Sequence, residues 1–99
     1  MDAIRQGDVI IELNAKRPKG MKKRDTDIIR EGEVTGHKHR VVGNATLYSL
    51  GDLLCVEVRE PSKVVHDQHS TIDLPVGFHH IEFPQEYDYI TEEKRRVKD

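Results

Sequence analysis

Apolar and polar positions alternate along most of the chain with the period of two that a half-buried strand requires. In "QGDVIIELN" a turn at Gly7 and Asp8 leads into a run that puts Val9, Ile11 and Leu13 on one face and Ile10, Glu12 and Asn14 on the other. The segment "DIIREGEVTGHKHRVV" predicts a short strand from Asp27 and a kink at Glu31 and Gly32. A second strand follows, in which Thr35, His37, His39 and Val41 share a face while Lys38 and Arg40 point away. "ATLYSLGDLLCVEVRE" reads as a hairpin turning near Gly51 and Asp52, with Leu54, Val56 and Val58 inward and Pro61 closing it. Next come "SKVV", a loop "HDQHST", a turn at "LPVG", the strand "FHHIEF" and a last strand near "YDYI". The pattern predicts an all-β fold: a single domain over residues 1–91, built as a small barrel or sandwich of about six to eight short strands with no required helix. In the tail "EEKRRVKD" only Val97 has an apolar side chain to bury, so residues 92–99 are expected to be frayed or disordered.

Composition reinforces the strands. Val and Ile together number 18, against 9 for the helix formers Ala and Leu. Hydrophobic residues make up 35% of the 99 and charged residues 34%, so the core is thin. A domain this lean often draws stability from a metal, a ligand or a second subunit, and a homodimer is an expected partner arrangement. Cys55 is the single cysteine, which excludes an internal disulfide and fits a reducing, cytoplasmic setting. Its place in "LLCVEV" marks it as buried packing. No apolar run approaches the roughly 20 residues of a membrane span, and "MDAIRQGD" lacks the order of a signal peptide. No membrane partner is expected.

The formal net charge is −2, yet residues 15–24, "AKRPKGMKKR", carry six basic side chains and no acid. Pro18 and Gly20 break regular structure there, so the stretch reads as a mobile basic loop, either solvated or an anchor for phosphates.

The six histidines fall into three pairs: His37 with His39, His66 with His69, and His79 with His80. On a strand, the H-x-H spacing puts both imidazoles on one face about 6.6 Å apart, close enough to share an ion. The H-x-x-H pair lies in a loop that can turn both rings inward. Adjacent His79 and His80 must face opposite sides, so at most one joins such a site. His80 is the candidate if the aliphatic face of "FHHIEF" is the core, and the assignment reverses if it is not. Imidazole ligands favour a transition metal (Zn, Fe, Ni or Mn) over Ca or Mg.

"GEVTGHKH" and "LPVGFHH" together resemble the two motifs of the cupins, whose first motif ends in H-x-H and whose second carries P-x-G-x-x-H. His37 and His39 match the first, and Pro75, Gly77 and His80 the second. The chain departs from that pattern in lacking a glutamate soon after H-x-H, and in Pro84 where the second motif closes with Asn. The resemblance implies a compact β-barrel whose histidines hold a metal. The chain also resembles short prokaryotic and phage proteins that combine G-H-x-H, H-x-x-H, L-P-x-G and Q-E-Y segments. That likeness implies His66 and His69 as site members and draws attention to Glu86 and Tyr87.

Three functions follow as expectations. In the first, His37, His39, His69 and one of His66 or His80 supply the ligands of a divalent metal. Lys38, Arg40, Glu82, Glu86 and Tyr87 then stand near a small-molecule or phosphoester ligand, and the ion acts as Lewis acid if the protein is an enzyme. In the second, the basic loop binds the phosphates of a nucleic acid or nucleotide without catalysis. Against it, the five aromatics avoid the basic loop, and the stretch from Gly51 to Glu93 holds ten acids to two bases. In the third, two histidines cleave a phosphodiester by acid–base chemistry without metal. Gly-rich phosphate loops, G-x-S-x-G, H-E-x-x-H and paired C-x-x-C motifs are absent from the sequence.

Overall fold

In the computed structural model, residues 2–31 and 37–83 are described. Ten strands are found among them: β1 (Ala3–Gln6), β2 (Val9–Glu12), β3 (Lys22–Lys23), β4 (Ile28–Glu31), β5 (Lys38–Val42), β6 (Ala45–Leu50), β7 (Leu53–Val58), β8 (Ser62–Val65), β9 (Ile72–Leu74) and β10 (Gly77–Glu82). They form two sheets, one in the order β1-β2-β10-β7-β6-β3 and one in the order β4-β5-β8-β9. Every pairing is antiparallel.

The alternation read from the sequence sets which side chains meet. Val9, Ile11, Leu47, Leu54, Val56, Val58 and Ile81 from the six-stranded sheet share one buried cluster with Ile29, Val41, Val64 and Leu74 from the four-stranded sheet. Each such side chain contributes roughly 1.5–3 kcal/mol on leaving water, and this shared interior is what joins the sheets. The fold is therefore all-β, with the two sheets not closed into the barrel that the cupin resemblance implies. The hairpin of β6 and β7 turns at Gly51 and Asp52 as expected, with Leu50 opposite Leu53. Cys55 is 1% exposed, and burial pushes its thiol pKa up, which makes it a poor nucleophile.

Two expectations change. There are more strands than the pattern predicts, because β1, β3 and β9 are pairings of two to four residues, too short to show an alternation of their own. The basic stretch is tied down. Lys22 and Lys23 pair with Ser49 and Tyr48, Ala15 N–H donates to the Phe78 carbonyl, and Arg24 N–H donates to the Leu47 carbonyl. The Arg17 guanidinium lies over Tyr48 at 4.6 Å and Phe78 at 5.4 Å and bonds Glu57 at 3.1 Å. Its cation–π contacts and ion pair hold the loop against the outer face of the sheet. The tail and the "YDYI" strand lie outside the described residues. No helix among the described residues is long and apolar enough to cross a membrane.

Candidate functional site

One corner of the molecule collects four of the six histidines. His39 lies on β5 opposite Arg30 of β4, His37 just precedes β5, and His66 and His69 lie in the segment between β8 and β9. The turn between β1 and β2 closes the corner from the other sheet. Ring centroids are 4.3 Å apart for His39 and His66, 4.6 Å for His66 and His69, 5.7 Å for His37 and His66, and 5.9 Å for His39 and His69. With Asp8, Arg30 and Gln68 these side chains line a cavity of about 180 Å³.

Hydrogen bonding fixes which nitrogen carries the proton in three of the four rings. The Gln6 side chain is 3% exposed, and its amide nitrogen donates to the Val64 and Ser70 carbonyls, each at 2.9 Å. Its oxygen must therefore accept from His39, whose Nδ1–H donates to it at 2.8 Å. That leaves the lone pair on Nε2, which lies 3.3 Å from the Asp8 carboxylate. A lone pair facing a carboxylate is repulsive unless a cation stands between them. His37 has the same polarity, its Nδ1–H donating to Asp67 at 3.0 Å. His66 is opposite: its Nδ1 accepts from the Gln68 backbone N–H at 3.0 Å, so in the neutral ring Nε2 bears the hydrogen.

His69 completes the group through a close approach. Gly7 adopts φ +59°, and a Cβ built on it would lie 2.5 Å from His69 Nε2, so the absent side chain is what lets the ring reach the turn. Arg30 is held by Asp8 at 3.3 Å and lies over Phe83 at 4.9 Å. Burial, then the charge of His66, lowers the His39 pKa from 6.5. Burial, then His69 and His37, lowers that of His66. The His37 hydrogen bond lowers Asp67 from the usual carboxylate value. Both imidazoles are thus favoured as neutral rings.

The third pair divides. His79 is 0% exposed and fully satisfied: its Nδ1 accepts from the Asn14 N–H at 3.0 Å and its Nε2–H donates to the Pro75 carbonyl at 2.7 Å. It is a core residue, and His80 takes the outer face. There His80 lies opposite Glu12, with its Nδ1 3.7 Å from Glu82. His80 is thus kept apart from the four-histidine corner with which the sequence groups it. Among the described residues, Glu12, His80 and Glu82 are the group whose ligating atoms all lie within 4.8 Å of one another. The four-histidine corner does not meet that spacing.

Lys38 and Arg40 are not among the cavity-lining residues, and Arg40 pairs with Asp27 at 3.4 Å. Glu86 and Tyr87 lie outside the described residues. Sequence reasoning missed Gln6, Asp8, Arg30, Asp67 and Gln68. Asp8 and Gln6 flank the turn glycine, where polar residues are ordinary, so nothing in the pattern singled them out.

Fold and site together define a small two-sheet β domain with a histidine-lined polar cavity at one corner. Residues 5–83 match the family model of the domain of unknown function DUF8820, and the chain belongs to that family. The matched span takes in each of the cavity-lining residues. No curated protein and no solved structure matches the chain.

Proposed function

We propose that this domain binds a divalent transition metal, Zn, Fe, Ni or Mn, at the corner where His37, His39, His66 and His69 meet. The observation that carries the reading is the His39 lone pair, held 3.3 Å from the Asp8 carboxylate by a buried glutamine whose orientation is itself fixed. Such an outer partner on the far nitrogen is how ligating histidines are commonly oriented, and His37 repeats it with Asp67. In this reading His37 and His39 ligate through Nε2, and His69 and Asp8 complete the set. The Glu12, His80 and Glu82 group is the weaker candidate, because it lies on an open sheet face with Glu82 45% exposed. The bound ion would supply Lewis acidity to a small ligand in the cavity.

The test is elemental analysis of the untagged protein after gel filtration, with a His37→Ala/His39→Ala variant beside it. About one transition metal per chain is expected, absent from the variant. Failure of the wild type to bind any of the four ions tighter than about 1 μM refutes the reading. A second reading rests on the His37 and Asp67 pair, which has the geometry of an acid–base dyad. Phosphodiester cleavage that persists in EDTA would select it.

A further inference from the structure

Three of the four histidines have a proton position fixed by their neighbours, and they do not agree. His37 and His39 donate through Nδ1 to Asp67 and Gln6. His66 instead accepts at Nδ1 from the Gln68 backbone N–H, a group that can only donate. A neutral His66 therefore presents Nε2–H and offers no lone pair there. It stands in the middle of the cluster, its ring 4.3 Å from that of His39 and 4.6 Å from that of His69.

We propose that His66 is not a ligand of the ion but a hydrogen-bond donor, acting with Arg30 on a small oxyanion that shares the cavity with it. This deepens the metal reading and rests on it. Arg30 lines the same cavity, and its guanidinium, 3.3 Å from Asp8, brings a positive charge to the space an anion would enter. Charge points the same way. A divalent ion and Arg30 confront Asp8 in the cavity and Asp67 at its edge, and the surplus positive charge calls for an anion. Size limits that anion. A cavity of about 180 Å³ lies below the roughly 300–1,000 Å³ of sites for drug-sized molecules. Phosphate, or a carboxylate of a few heavy atoms, matches the space beside an ion.

The experiment measures metal content and inorganic phosphate binding by calorimetry on the wild type, His66→Ala and His66→Gln. Glutamine keeps an N–H donor close to the position of Nε2–H but is a poor ligand for these metals, so it separates the two roles. The expected result is wild-type metal stoichiometry in both variants, phosphate affinity at least tenfold weaker in His66→Ala, and recovery of most of it in His66→Gln. Loss of metal from both variants, with the unfolding midpoint unchanged, makes His66 a ligand and overturns the proposal. So does a metal-loaded wild type that binds no phosphate at 10 mM, roughly the limit of a weak specific site. A wild type that takes up no metal, yet binds phosphate through a His66-dependent contact, keeps the donor assignment while ending the metal reading.

Discussion

Replacing Gln6 by leucine tests the logic of the site at its outer support. The side chain is 3% exposed and makes three hydrogen bonds, two through its nitrogen to the Val64 and Ser70 carbonyls and one through its oxygen from His39. Leucine has nearly the same size, so little cavity forms and the loss is polar. Ser70 is exposed, so its carbonyl can turn to water. The Val64 carbonyl and the His39 Nδ1–H cannot do so as easily, and each buried group left without a partner costs about 1–3 kcal/mol. Against this, added apolar burial returns roughly 1 kcal/mol. The net loss is about 1–5 kcal/mol, read as a lower urea midpoint at unchanged slope. A second readout follows from the proton position. With no acceptor at Gln6, His39 is free to move its hydrogen to Nε2 beside Asp8, and metal affinity should fall about 10–100-fold. Nitrogen-15 chemical shifts of the imidazoles report that tautomer directly. A variant within about 0.5 kcal/mol of wild type, with an unchanged His39 tautomer and metal affinity, would refute the reasoning.

Four further outcomes follow from the same structure. His39 and His66 are held below their ordinary pKa of 6.5, so as pH falls the unfolded chain takes up protons before the folded one does. The metal-free protein should therefore lose stability on going from about pH 7.5 to about pH 5.5 and be flat above that range, with a shallower slope in His66→Gln; a urea midpoint that rises on acidification contradicts the assignment. Gly7→Ala forces a side chain into φ +59° and against His69, which should cost about 1–2 kcal/mol and weaken metal binding, measured by urea titration and calorimetry. Arg17→Ala removes the stacking on Tyr48 and Phe78 and the bond to Glu57. It should cost about 1 kcal/mol and leave metal content unchanged, whereas loss of metal would connect the basic stretch to the site. His79→Leu strands the Asn14 N–H and the Pro75 carbonyl and should cost about 2–4 kcal/mol while the remaining folded protein keeps its metal, as elemental analysis of the soluble fraction would show.

Much of the architecture was legible because it rests on alternation. The inward faces of β2 and β7, the turn at Gly51 and Asp52, and the shared face of His39 and Val41 all follow from period-two spacing combined with β-branched residues. What was not legible depends on pairing between distant segments. Lys22 and Lys23 become a strand only because Ser49 and Tyr48 offer an edge, and Arg17 is fixed only because two aromatic rings from β6 and β10 lie beneath it. Six basic residues in ten positions say nothing about either. Gln6 is similar: its importance comes from contacts 58 and 64 residues away in sequence, and no local pattern distinguishes it from any polar residue before a turn.

The three histidine pairs show where spacing stops and tertiary structure takes over. The H-x-H pair reaches the corner with the matching proton positions on both rings, because β5 brings His37 to Asp67 and His39 to Gln6. The H-x-x-H pair reaches the same corner, but the backbone N–H of Gln68 reverses the polarity of His66, so nearness to the cluster does not set where a ring carries its proton. The adjacent pair must divide between faces, and spacing alone left open which ring goes inside. The choice is made where the Asn14 N–H and the Pro75 carbonyl end at one buried point. A neutral imidazole joins one donor and one acceptor there, and a charged ring or an aliphatic side chain leaves at least one of them without a partner. His79 is therefore retained in the core for the same donor and acceptor capacity that His39 turns toward Gln6 on one side and Asp8 on the other.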